Sequence, residues 1–188
     1  MPLSSAAGAL LVPLTLLPIG PPEVPAPGPA ARPGATTVAA VPDQVVDAQF
    51  DRANGIVPAR AITHAPELVP YGAQVRVTVH REAGRTTVAV EVAGVAGPHE
   101  FPAHVHTGHC GSDPAASGPH YQHVAGSSAG DNEVRMTVRT DPGGAGDASA
   151  AVPWAFRPDG AHSLVLHAGP DAGSHAPTDR VGCVNIDF

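Results

Sequence analysis

His104-Val105-His106 sets two imidazoles at i and i+2. On a strand, that spacing turns both rings to one face of a sheet. Two ligands on one rigid strand cost little entropy to pre-position, which suits a metal that takes imidazole nitrogen. His120 follows Gly118-Pro119, and His167 ends the apolar run Leu164-Val165-Leu166. Four histidines from three places in the chain are therefore candidates for one centre. A set of four nitrogens without thiolate favours copper or zinc. An HxH pair on its own is equally a pair of surface histidines, so this spacing alone leaves metal binding open.

Composition sharpens the same point. Of eleven histidines, nine lie between His99 and His175. All ten basic residues are Arg, the formal net charge is −7, and residues 1–42 contribute only Glu23 and Arg32 to it. An acidic domain without a basic cluster excludes nucleic acid and an anionic membrane surface as partners. The two cysteines, Cys110 and Cys183, read as one disulfide in a chain with an export-like start, or else as two buried thiols. A bond closing that 73-residue loop would stabilise the domain by about 4 kcal/mol on the chain-entropy model. It would also pin the loop after His106 to the last strand.

The elements that must position these residues are strands. Val75, Val77 and Val79 alternate with Arg76 and Thr78, and Val88, Val90 and Val92 repeat the pattern after a hairpin loop at 81–85. Val134, Met136 and Val138 alternate again, closed by Asp141-Pro142-Gly143-Gly144. Segments 45–50, 148–152, 163–167 and 181–186 are further strands. Period-two alternation with frequent Gly/Pro punctuation predicts an all-β, antiparallel sandwich or Greek-key barrel. The stretches 107–132 and 168–179 lack strand pattern, carry His and Asp, and follow strand ends, where loops on β scaffolds hold function.

Ahead of this domain, expected over 43–188, the chain has a different character. Leu10–Ile19 is a short apolar run, well under the roughly 20 residues of a membrane helix, so no membrane span is expected in the domain. Residues 1–20 look like an export signal, although Arg32, the first basic residue, comes after the apolar run. Either the start of that signal is missing or the segment is a Pro/Ala tail without a targeting role. Residues 21–42 have the Pro/Ala composition of an extended, disordered linker. The expected location is extracellular or the cell envelope.

The ordered series His104-Val105-His106, Cys110, Gly118-Pro119-His120, Leu164-Val165-Leu166-His167 and Arg180-Val181-Gly182-Cys183 resembles copper/zinc superoxide dismutase over roughly residues 70–188. The resemblance implies an eight-stranded Greek-key barrel and a copper-dependent disproportionation of superoxide to oxygen and hydrogen peroxide. It makes His104, His106, His120 and His167 the copper ligands. His120 is also implied as the alternate ligand and proton carrier. Arg180 becomes the residue that attracts the superoxide anion, Asp171 the carboxylate behind the ligands, and Cys110–Cys183 the intrasubunit disulfide.

The family's zinc site is only partly matched. His120, His123 and Asp131 are its candidates, one ligand short, with Ser128 where another histidine would stand and His109 as a substitute; His123 and His109 read equally as loop histidines in solvent. A missing zinc ligand and a short 167–180 segment resemble the copper-only branch of these dismutases. The alternative function is a non-catalytic copper-binding or buffering protein on the same fold. Superoxide is the expected substrate, and both monomer and homodimer are compatible with the sequence.

Overall fold

The computed structural model describes residues 42–53, 58–176 and 178–188. The signal-like segment 1–20 and the linker 21–42, apart from Pro42, lie outside the described residues. Among the described residues nine strands form the architecture: β1 (Gln44–Asp51), β2 (Ala61–Thr63), β3 (Gln74–Glu82), β4 (Arg85–Ala93), β5 (His99–His106), β6 (Arg135–Thr140), β7 (Gly146–Val152), β8 (Ser163–His167) and β9 (Arg180–Asn185). They close into a barrel in the order β1-β2-β9-β8-β5-β6-β7-β4-β3. Strands β5, β6 and β7 are consecutive neighbours and β8 returns to lie beside β5, which is a Greek key. Among the described residues no helix is long and apolar enough to cross a membrane.

The all-β barrel matches the alternation read from the sequence; the strand count and the purely antiparallel pairing do not. The additional strand β2 has only three residues, too few to show a period. It pairs parallel with β1 and antiparallel with β9, and so bridges the two across the closing seam.

Alternation in β3 and β4 becomes barrel interior directly. Val75, Val77 and Val79 oppose Val92, Val90 and Val88 across the ladder, and all six are buried. Each such side chain contributes roughly 1.5–3 kcal/mol relative to exposure. The hairpin is tighter than the expected 81–85 loop: Glu82 pairs with Arg85, leaving Ala83 (φ 48°) and Gly84 (φ 78°) as a two-residue turn. Two positive φ values give the turn twist that matches a right-twisted strand pair.

Strand β8 is buried on both faces, and β5 is buried on its inner face while Glu100, Pro102 and His104 on its outer face are partly exposed. Phe101, Ala103, Val105, Leu164 and Leu166 face the barrel core. The alternate positions His104, His106, Ser163, Val165 and His167 lie on the outer side, where the two long connections cover them. Pro102 interrupts the β5 pattern and falls where β8 no longer pairs with it, so its missing N–H costs no ladder bond there. A register shift between Leu166 and His167 re-aims the strand end.

Candidate metal centre

The outer face of β5 and β8 carries the first three histidines. Ladder pairing sets His104 opposite Val165 and His106 opposite Ser163, with His167 at the bulged end of β8. His120 arrives from the connection after β5, which folds back on the strand that precedes it. Thr107 N–H donates to Pro119 O (3.0 Å), Gly108 N–H to Ser117 O (2.8 Å) and Tyr121 N–H to Val105 O (2.8 Å), so His106 and His120 form a bridge. Tyr121 anchors this return. It is fully buried against Trp154 and Phe156, and its Oη accepts from Arg157 N–H at 3.0 Å. Gly118 permits the close crossing: at φ 68°, a Cβ there would stand 2.6 Å from Thr107 Oγ1.

The four rings meet as a cluster. His104 stacks on His120 with centroids 4.1 Å apart, and His106 meets His120 edge to face at 4.7 Å. His167 lies 5.2 Å from His104 and 5.5 Å from both His106 and His120. One ligand atom from each of His104, His120 and His167 falls within 4.8 Å of the others. The fourth ring joins through His106 Nε2, 3.3 Å from His167 Nε2.

Hydrogen bonds to the far nitrogens decide which lone pairs face inward. His106 Nδ1–H donates to Gly118 O at 2.9 Å and His167 Nδ1–H to Thr178 O at 2.9 Å. Both Nε2 atoms then present lone pairs to each other. His120 Nδ1–H donates to Glu133 Oε2 at 3.1 Å, which also leaves its Nε2 as the acceptor. His104 Nδ1 is buried and has no hydrogen-bond partner among the described residues. Facing lone pairs repel unless a proton or a cation lies between them. The environment opposes protons: burial first, then the neighbouring charges of His120 and His167, lowers His104 to about 4. Burial lowers His106 to about 3, against the opposing effect of its bond to Gly118. Burial likewise depresses His167. The donor set therefore fits a cation that binds neutral imidazole, held by His104 Nδ1 and by Nε2 of His106, His120 and His167.

Around this cluster the expected residues fare unevenly. Arg180 opens β9 opposite His167, and its Nη1 donates to Pro114 O (2.8 Å) and Ser117 Oγ (2.9 Å). Its charge adds to the depression of both His106 and His167. The cysteines are bonded, with Cα atoms 5.7 Å apart. Asp171 does not take the position expected of it. It is exposed and makes no hydrogen bond to a cluster histidine among the described residues, and the backbone carbonyls of Gly118 and Thr178 orient the rings instead.

The zinc candidates are not gathered either. His123 stacks flat on Trp154 (4.8 Å, 5°), while Asp131 is exposed and gives only its carbonyl, to Trp154 Nε1 at 2.7 Å. With the connection this short, Asn132 ties it together through Val124 N–H and the Val124 and Ser127 carbonyls. His109 lies in a separate cluster with His162 and Asp187.

Glu133 is the residue that sequence reading missed. Burial raises its carboxyl, but hydrogen bonds from Gln122 and His120 and the charge of Arg135 outweigh that and hold it below the usual range. It is consequently an anionic acceptor, 8% exposed, fixed by Gln122 Nε2 at 2.9 Å and Arg135 Nε at 3.1 Å. The available signal was a lone carboxylate entering the alternating run at Val134, but no spacing relates it to His120.

No protein-family model matches the chain, and no curated protein matches it. Among solved structures, the clock protein EA4 is similar at 17% identity, with 61% of this chain and 87% of that one covered and a TM-score of 0.46. A double mutant of a SOD-like protein from Bacillus subtilis is similar at 12% identity, with 60% and 88% covered and a TM-score of 0.45. Likenesses this distant say nothing about chemistry, and the chemical reading rests on the residues of this chain.

Proposed function

We propose that the chain is an exported, copper-dependent superoxide dismutase. The observation that carries the reading is the convergence of four imidazoles, three of which have their outward nitrogens hydrogen-bonded to Gly118 O, Thr178 O and Glu133 Oε2. Copper bound there would supply reversible one-electron chemistry, so that two superoxide anions and two protons give dioxygen and hydrogen peroxide.

The chain's own residues account for the rest. A net charge of −7 repels an anionic substrate at long range, so attraction must be local. Arg180, tethered to Pro114 and Ser117 beside His167, supplies the local positive charge. His120, with its side chain 35% exposed, would take a proton from solvent at Nε2 and pass it to departing peroxide. Glu133 keeps the other proton on Nδ1 and so fixes the tautomer that this transfer needs. Because Glu133 occupies the direction in which His120 Nδ1 would bind a second metal, the proposal requires copper alone. The disulfide and the signal-like start support export to an oxidising compartment.

Copper content and superoxide consumption, measured on protein purified from copper-supplied cells, test this together. The expected result is copper bound at the four-histidine cluster with catalytic loss of superoxide. Bound copper without dismutation would leave a copper-binding protein, and absence of copper binding would remove both readings.

A further inference from the structure

A second group of potential ligands lies beyond the same strand ends. His109, in the connection after β5, His162, just before β8, and Asp187, just after β9, each offer one atom within 4.8 Å of the others. We propose that they form a separate surface site for a divalent transition-metal ion of the zinc(II) or copper(II) type. This inference does not depend on the dismutase reading, since none of the three residues belongs to the four-histidine cluster.

The argument starts from His162. Its Nδ1 lies 2.7 Å from Asp187 Oδ1 and its Nε2 3.2 Å from Asp159 O, so both ring nitrogens face oxygen acceptors. A neutral imidazole carries one N–H and can satisfy only one of them. In the metal-bound form the ring keeps its proton on Nε2, donated to the Asp159 carbonyl, and the Nδ1 lone pair and the Asp187 carboxylate oxygen beside it both turn to the ion, which takes the place of the proton between them. A ligating histidine whose other nitrogen donates to a backbone carbonyl is a usual arrangement at metal sites. His162 is mostly buried, 21% exposed, so this orientation is held in place by its surroundings.

His109 completes the set. Its ring lies 4.4 Å from that of His162, and its Nε2 is 4.0 Å from Asp187 Oδ1. A tetrahedral ion with ligands at 2.0–2.1 Å separates neighbouring ligand atoms by roughly 3.4 Å. The 2.7 and 4.0 Å separations fall on either side of that value. Only the exposed His109 and Asp187 side chains need adjust, each by a small rotation.

The backbones are already anchored. Gly108 O accepts from Ser163 Oγ at 2.7 Å, and Cys110 is bonded to Cys183 and donates its N–H to Asn185 Oδ1 at 2.9 Å. His162 N–H donates to His106 O at 3.0 Å and His162 O accepts from Ile186 N–H at 3.1 Å. Each ligand is thus at, or next to, a residue fixed by a covalent or hydrogen bond. Two imidazoles and one carboxylate with an open position make a donor set that takes zinc or copper(II).

The test is zinc binding by the whole chain with its disulfide intact, measured by competition with a chromogenic zinc chelator. Wild type, H109A/D187N and H104A are compared. The double variant alters only exposed side chains and is expected to keep its fold and to lose one equivalent of zinc that H104A retains. In the wild type, zinc should also move the His162 ring resonances, and this response should disappear in H109A/D187N. Equal zinc stoichiometry and affinity in wild type and the double variant would overturn the site, as would unmoved His162 resonances in zinc-saturated wild type.

Discussion

The two histidine clusters grow from the same two elements, the end of β5 with its following connection and the strand β8, yet they place imidazoles in opposite circumstances. In the inner cluster, backbone carbonyls and Glu133 take the outward N–H groups and burial drives protons away, so the lone pairs converge. In the outer cluster, rings and carboxylate stay in contact with solvent, and a proton competes with a metal for the His162–Asp187 gap. Both use imidazole, the outer one with the Asp187 carboxylate beside it. Burial and the partner of the second ring nitrogen make the difference: on the proposals above, the inner cluster would hold a metal against protons and the outer one would exchange it.

One perturbation should act on both clusters and others on the inner one alone. The largest effect is expected from C110S/C183S, because the bond ties the connection bearing His109 and Arg180's anchors to β9. Its loss should lower stability by about 4 kcal/mol and weaken metal binding at both clusters, read from denaturant midpoints and metal titrations. Retention of both sites at wild-type affinity would show that the ladder bonds alone position them.

Arg180→Ala bears on the inner cluster only. It should remove most dismutase activity while copper remains bound, and the dependence of activity on ionic strength should weaken. Unchanged turnover at low salt would take Arg180 out of substrate attraction.

Glu133→Gln keeps the shape but loses the anion behind His120. Copper should stay, with activity lowered about 10- to 100-fold, the range for residues that orient a ligand. The pH profile should shift, since an amide no longer dictates which nitrogen of His120 holds the proton. A stability change with an unmoved pH profile would make Glu133 structural only.

The last effect is a slope. His104, His106 and His167 resist protonation when folded, at about 4 and about 3 for the first two. The unfolded chain takes up these protons near pH 6.5. Between those values the unfolded state binds more protons, so the stability of metal-free protein should fall as pH drops below about 6.5 and level off near the folded values. Thermal melts across that range check it, and a flat midpoint would mean that the inner rings are wetter than their burial implies.

Much of the inner cluster was legible before the fold. The i, i+2 spacing of His104 and His106, the strand-end position of His167 and the Gly118-Pro119-His120 turn are local features, and the structure brings all four rings together. The expected Asp171 support and the zinc set were not borne by local features, and the structure does not assemble them. Exposed Asp171 is replaced by two backbone carbonyls, which carry no sequence signature because every residue has one. Glu133, thirteen residues after His120, becomes its partner only when Tyr121 pulls the connection back onto β5.

What the chain determined by itself is what depends on near neighbours: the alternation that makes Val75–Val79 and Val88–Val92 strands, the hairpin between them, and the pairing of two histidines on one face. Tertiary structure decided what depends on strand order. The short strand β2 closes the barrel only between β1 and β9, and His109, His162 and Asp187 meet only because β8 lies between β5 and β9. The physical reason is range: dihedral preference and side-chain period act over a few residues, whereas ligand convergence, burial and the second hydrogen bond of an imidazole are set by segments tens of residues apart.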